Sequence, residues 1–151
     1  MEYVLVLSLH NVLRWVVLGT AVFALVRMFG GLAARRGWLA LDRKAGQWLT
    51  ISMDVQLVVG LLLYFVLSPI TTSAFANMGN VMSVSALRFY VVEHILLMVV
   101  AVVLAHVGTA MARRAATDRA RFTRSAIFYS LAVLSVVAAI PWDRPLLRLL
   151  S

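Results

Sequence analysis

Four long apolar blocks constrain this chain more than any other feature of its sequence. They cover about residues 3–28, 47–67, 87–111 and 122–142. A helix that crosses the hydrocarbon core of a bilayer needs roughly 20 mostly apolar residues, and each block is long enough. The whole chain is 63% hydrophobic, whereas a soluble domain is roughly half apolar. We therefore predict an all-α integral membrane protein, a four-helix bundle that forms a single membrane domain over residues 1–151.

Two clusters of basic residues predict how this bundle sits in the membrane. One cluster follows the first apolar block and the other lies between the third and the fourth; together they hold ten of the fourteen basic residues. The positive-inside rule makes both connections cytoplasmic, so both termini are expected on the outer side. Short connections favour an up-down-up-down bundle. The clusters are Arg27, Arg35, Arg36, Arg43 and Lys44, and Arg113, Arg114, Arg119, Arg121 and Arg124.

The positions of the arginines and the composition of the chain exclude several classes of function. Arginines that flank membrane helices indicate contact with the lipid bilayer and its anionic headgroups rather than with nucleic acid. The chain has no cysteine, which excludes disulfides, iron–sulfur clusters, thiolate ligands and covalent c-type haem. It also has no phosphate loop, no HExxH motif and no serine nucleophile elbow. Nothing in the sequence indicates a hydrolase.

Two histidines inside the apolar blocks are the strongest indication of a functional site, since ionisable groups are costly in a membrane. His10 lies roughly 8–10 Å below the outer edge of the first helix, and His94 lies roughly 9 Å below Arg88 at the outer edge of the third. Imidazole binds haem iron axially, and bis-histidine ligation suits electron transfer because no position stays open for substrate. We predict His10 and His94 as metal ligands of a b-type haem. The alternative is that both are hydrogen-bonded bundle residues.

Charged neighbours of the two histidines fit a haem as well. The haem propionates need cationic partners. Arg14 follows His10 by four residues and shares its helical face, and Arg88 stands at the outer rim. Glu93 is expected to pair with Arg14 at a similar depth, because a buried carboxylate is contained by a buried arginine. The alternative for Glu93 is a proton-carrying carboxylate near a quinone, which is the second candidate cofactor.

A further polar group is expected nearer the inner side. His106 is too deep to join His10 and His94, and Asp54 on the second helix lies at a comparable depth. An Asp54–His106 hydrogen bond would be able to pass protons, although a packing or loop contact explains the two residues equally well. Gln56 points about 200° away from Asp54. It is expected to bond either the outer site or another helix.

Several segments resemble a family of small bacterial four-helix membrane proteins that are often labelled cytochrome b-like. The resemblance runs from His10 to Trp142. Four motifs carry it: "HNVLRWVVL", "MDVQLVVGLLLYF", "LRFYVVEHILLMV" and "IPW". It implies a common fold and points to His10, Arg14, Asp54, Gln56, Arg88, Glu93, His94 and Trp142. His106 falls outside these motifs.

The residues and the resemblance together lead to a working hypothesis. We expect a multi-pass protein of the bacterial inner membrane that carries haem b and passes electrons between quinol and a periplasmic carrier. It would be a subunit of a larger respiratory or photosynthetic complex, or a homo-oligomer, rather than a stand-alone enzyme. One alternative is a non-redox accessory subunit of a larger complex. Another is a small proton or ion pathway through Glu93, Asp54 and His106.

Overall fold

The structure, a computed structural model, describes residues 1–142, and every regular element in this part of the chain is helical. Residues 143–151 of the predicted domain lie outside the described residues. Two of the helical elements are π-helical turns, at Leu63–Leu67 and Phe89–Glu93. The α-helices are α1 (Glu2–Ala33), α2 (Ala40–Leu62), α3 (Pro69–Ala74), α4 (Met78–Ser83), α5 (Ser85–Arg88), α6 (His94–Arg113) and α7 (Asp118–Ala139).

Four helical stretches are long and apolar enough to cross a membrane, which confirms the prediction of an all-helical chain with four candidate spans. Their bounds are wider than predicted on the side of the first connection, where residues 34–39 alone separate α1 from α2. The reason is local. The carboxylate of Asp42 accepts the backbone N–H of Leu39 at 2.8 Å, and this bond caps α2. The stretches are Glu2–Ala33, Ala40–Leu67, Ser85–Arg113 and Asp118–Ala139.

Small side chains set the packing of the four long helices. α1 packs against α2 and α7, and α6 packs against the same two helices. Consequently α1 and α6 face each other across the bundle. Much of the shared core is alanine, which lets helix backbones approach closely in a membrane. The buried alanines of the core are Ala21, Ala24, Ala45, Ala101, Ala105, Ala126 and Ala132.

A buried carboxylate ties the helices together at the end of the bundle where α1 stops. Asp42 is fully enclosed and accepts hydrogen bonds from Arg27 at 2.8 Å and from Arg36 at 2.6 and 2.8 Å. The hydrogen bonds that Arg36 donates to Asp42 raise the pKa of its guanidinium above the usual value. The same guanidinium lies 4.9 Å from the ring centre of Phe122 on α7. This cluster therefore joins α1, α2 and α7.

Both π-helical turns lie at the opposite end of the bundle, and they touch. The Tyr64 hydroxyl in the first turn donates to the carbonyl of Val91 in the second at 2.6 Å. A π turn brings together residues that are five apart, so Arg88 and Glu93 form an ion pair at 2.8 Å. The expected pair of Glu93 with Arg14 was therefore wrong. The prediction assumed regular α-helical spacing, which the π turn changes.

Candidate functional site

A cavity of about 280 Å³ opens between the long helices at the end of the bundle where α1 begins. Its wall is mostly apolar, with a few polar side chains pointing inward, as is usual for sites that bind organic ligands. Both histidines predicted as ligands lie in this wall. The polar or small residues that matter most are His10, Arg14, Gln56, Gly60 and His94.

The imidazole rings of His10 and His94 face each other across the cavity. Their centroids are 6.4 Å apart and their planes are inclined by 64°. They come from α1 and α6, the two helices on opposite sides of the bundle. Metal–imidazole bonds are about 2 Å long, so a metal atom shared by the two rings would require the His10 ring to turn, because its two nitrogens lie against Gln56 and Gly60 on α2.

His94 is held in the state that a metal ligand needs. Its Nδ1 lies 2.8 Å from the carbonyl oxygen of Ala139. A carbonyl only accepts hydrogen bonds, so Nδ1 carries the proton and Nε2 keeps its lone pair. Metal-binding histidines usually donate their second nitrogen to a carbonyl or a carboxylate in this way. Ala139 is the last residue of α7, and the final carbonyls of a helix lack intrahelical donors.

His10 is arranged differently, because Gln56 from α2 holds one of its ring nitrogens. The amide nitrogen of Gln56 lies 3.2 Å from Nε2 of His10 and 3.0 Å from the His10 carbonyl oxygen. The Nδ1 of His10 and the Oε1 of Gln56 are buried and have no hydrogen-bond partner among the described residues. Buried polar atoms without partners are uncommon, and a bound group is one way to satisfy them.

A glycine provides the space for the His10 ring. A Cβ atom on Gly60 would stand 3.2 Å from Cε1 of His10, closer than ordinary packing allows. Any larger residue at position 60 would therefore force the His10 ring to shift. Gly60 lies one turn beyond Gln56 on α2, so one face of that helix both positions His10 and makes room for it.

The two arginines proposed for the propionates end up in different places. Arg14 lines the cavity one turn after His10. Arg88 is absent from the cavity wall; it lies at the rim, 41% accessible, in its ion pair with Glu93. Among residues 1–142 the cavity wall therefore includes one arginine, Arg14, while Arg88 and Glu93 contain each other's charge.

Asp54 and His106 form a separate polar pair. The Nε2 of His106 lies 2.9 and 3.2 Å from the two carboxylate oxygens of Asp54. About half of each side chain is accessible, so the pair lies on the outside of the bundle where α2 meets α6. As the sequence indicated, His106 is not part of the layer that holds His10 and His94. Gln56, by contrast, belongs to the cavity.

The donor set is too small for a simple metal site. Within residues 1–142 no group of three or more histidine, cysteine, aspartate or glutamate side chains is close enough to share a metal ion. Two facing histidines instead suit a metal that brings its other ligands with it, such as haem iron in its porphyrin. The residues present fit that group: His94 would offer its Nε2, and His10 would offer its Nε2 once the Gln56 amide turned away from it.

No family model, curated protein or solved structure matches this chain.

Proposed function

We propose that this chain is a b-type haem protein of the bacterial inner membrane that takes part in electron transfer. His10 and His94 would be the axial ligands, and Arg14 would face a propionate. A bis-histidine haem exchanges single electrons and leaves no position for substrate. The chain would thus be an electron-transfer subunit, rather than a stand-alone enzyme, in a respiratory or photosynthetic complex or in a homo-oligomer.

One observation carries the proposal. Two histidines from helices on opposite sides of the bundle face each other at 6.4 Å across an apolar cavity. Burying an imidazole in a membrane is costly, so histidines inside membrane spans usually mark a functional site. The bond from His94 to the Ala139 carbonyl adds to this, because it leaves the metal-binding nitrogen of His94 available.

The expected orientation belongs to the same proposal. By the positive-inside rule, the basic clusters favour an orientation with the Asp42 end of the bundle at the cytoplasm and the cavity near the periplasm. The helices would run up-down-up-down with both termini outside. Electrons would then pass between membrane quinol and a periplasmic carrier close to the outer surface.

The reduced-minus-oxidised absorption spectrum of the purified protein tests the proposal. The protein is expressed with added haem precursor and compared with His10→Ala, His94→Ala and, as a matched control, His106→Ala. We expect a b-type spectrum in the wild type that is lost in the first two variants. The His106→Ala spectrum should be unchanged, because that residue lies outside the cavity.

The same series has outcomes that reject the proposal. A colourless wild type would end it and leave the accessory subunit as the better account. A haem spectrum that survives both His10→Ala and His94→Ala would move the ligands elsewhere. Orientation is tested separately by labelling single cysteines placed at positions 35 and 78 from each side of the membrane.

The Asp54–His106 hydrogen bond favours one second candidate, a proton pathway. An aspartate–histidine pair between two candidate spans is a recognised element of proton relays. In this case Asp54→Asn would abolish proton uptake by reconstituted vesicles and leave the absorption spectrum unchanged. Loss of colour in that variant would speak against an independent pathway.

A further inference from the structure

A second cavity, of about 270 Å³, lies at the opposite end of the bundle. It is formed by the end of α1, the connection that follows and the start of α7, so it lies at the ends of two candidate spans. In a membrane this position corresponds to the level of the lipid headgroups. Arg35, Arg36 and Arg119 all contribute to its wall.

Arg35 occupies a backbone position at which glycine is normally preferred. The N–H of Arg36 bonds to the Gly31 carbonyl and the N–H of Arg35 to the Leu32 carbonyl, both at 3.3 Å. This pair of hydrogen bonds ends a helix through one residue in the left-handed conformation, most often glycine. Here that residue is Arg35, with φ of 50°. A side chain held in this conformation costs stability, so glycine would be the more stable residue at position 35.

The cations of the cavity are only partly neutralised. Arg36 is committed to Asp42. Among residues 1–142, Arg35 and Arg119 form no ion pair with an acidic side chain. One carboxylate also lines the cavity, that of Asp118, but it pairs with Arg121 at 3.1 Å. Two arginines from different segments are thus left facing one cavity at the membrane boundary.

The floor of the cavity is fixed by close packing. A side chain at Gly31 would collide with the ring of Phe122, so α1 and α7 can approach this closely only because residue 31 is glycine. The Phe122 ring is buried and lies beneath the Arg36 guanidinium. The floor of the cavity is therefore closely packed, while Arg35 and Arg119 in its wall are exposed.

We propose that this cavity binds the phosphate of an anionic phospholipid, with Arg35 and Arg119 as its ligands. Arginine pairs with phosphate through two parallel hydrogen bonds, and basic pockets between membrane helices bind acidic lipid headgroups. The acyl chains would lie along the apolar outer faces of α1 and α7. This site is separate from the histidine cavity and does not depend on haem.

Lipid-dependent stability of the full-length protein tests the proposal. Protein in a zwitterionic detergent is titrated with short-chain phosphatidylglycerol, with the matching phosphatidylcholine, and with inorganic phosphate, and the unfolding midpoint is followed. We expect stabilisation by phosphatidylglycerol alone. Arg119→Gln and Arg35→Gly should each weaken that response about fivefold, the effect of one arginine near an anionic headgroup.

Arg35→Gly separates a ligand from a structural residue. Glycine relieves the left-handed backbone, so without lipid the unfolding midpoint should rise by about 2–4 °C while the lipid response falls. Arg43→Gln is the charge-matched control, because Arg43 lies on α2 outside this cavity. An equal loss in Arg43→Gln, an unchanged response in Arg35→Gly, or equal stabilisation by inorganic phosphate would each overturn the proposal.

Discussion

The Nδ1–H of His94 donates to the carbonyl oxygen of Ala139 at 2.8 Å, which joins α6 to the end of α7. α7 ends at Ala139, and Ile140 and Pro141 follow in non-helical conformation. The last helical carbonyl thus has a side-chain partner in place of a backbone one. The bond fixes both the orientation of the ring and the nitrogen that faces the cavity.

Replacement of His94 by phenylalanine should destabilise the protein even when no haem is bound. Phenylalanine keeps an aromatic ring at this position, but the buried Ala139 carbonyl loses its donor, which costs about 1–3 kcal/mol. The measurement is the unfolding midpoint of apoprotein purified from haem-deficient cells. An apoprotein as stable as the wild type would show that the bond contributes nothing to the fold.

The substitution Gly60→Ala should disturb the cavity, while Gly19→Ala should not. A Cβ at position 60 meets the His10 ring at 3.2 Å, and a Cβ at position 19 has nothing within 4 Å. Gly19→Ala should raise stability by about 0.5–1 kcal/mol, because alanine is the better helix former. Gly60→Ala should show a smaller gain or a loss, together with reduced haem content. Thermal unfolding and absorption spectra of the two variants, recorded side by side, check this; identical behaviour would contradict the cavity geometry.

Loss of the buried carboxylate of Asp42 should be severe. Asp42→Asn leaves Arg27 and Arg36 without their anion at the closed end of the bundle, and breaking such a pair costs about 3–5 kcal/mol. Asp118→Asn is the matched control; its carboxylate is 47% accessible and pairs with Arg121 on one helical turn. It should cost less than about 1 kcal/mol. Yield and unfolding midpoint in the same detergent are the readouts, and similar values for the two variants would refute the role assigned to Asp42.

The Arg88–Glu93 pair should matter little for stability, since both side chains are about half accessible. A double-mutant cycle with Arg88→Gln and Glu93→Gln should give a coupling of about 0.2–1 kcal/mol. The same two variants also test whether Arg88 is a partner of a haem propionate, the role first expected for it. If Arg88 were a propionate partner, Arg88→Gln would shift the haem midpoint potential more than Glu93→Gln. We expect no such difference, because Arg88 lies outside the cavity wall.

Sequence reasoning located the histidine layer but missed how it is held. Depth along a helix follows from counting residues, so His10 and His94 were expected at one level. The carbonyl of Ala139 carries no signal in the sequence, because every residue has one. The prediction that Glu93 pairs with Arg14 was wrong for a related reason, because no residue pattern marks the π-helical turn at Phe89–Glu93.

The four apolar blocks by themselves determined an all-helical chain with four candidate spans, because a bilayer admits few other arrangements for apolar stretches of this length. The basic clusters and the depth of each polar residue could likewise be read from the sequence. Only the tertiary structure decided which residues meet. It set α1 opposite α6, placed Gln56 and Gly60 on His10, enclosed Asp42 between two arginines, and left Asp54 and His106 on the outside. These outcomes depend on how each helix is rotated about its axis, and packing against the neighbouring helices fixes that rotation.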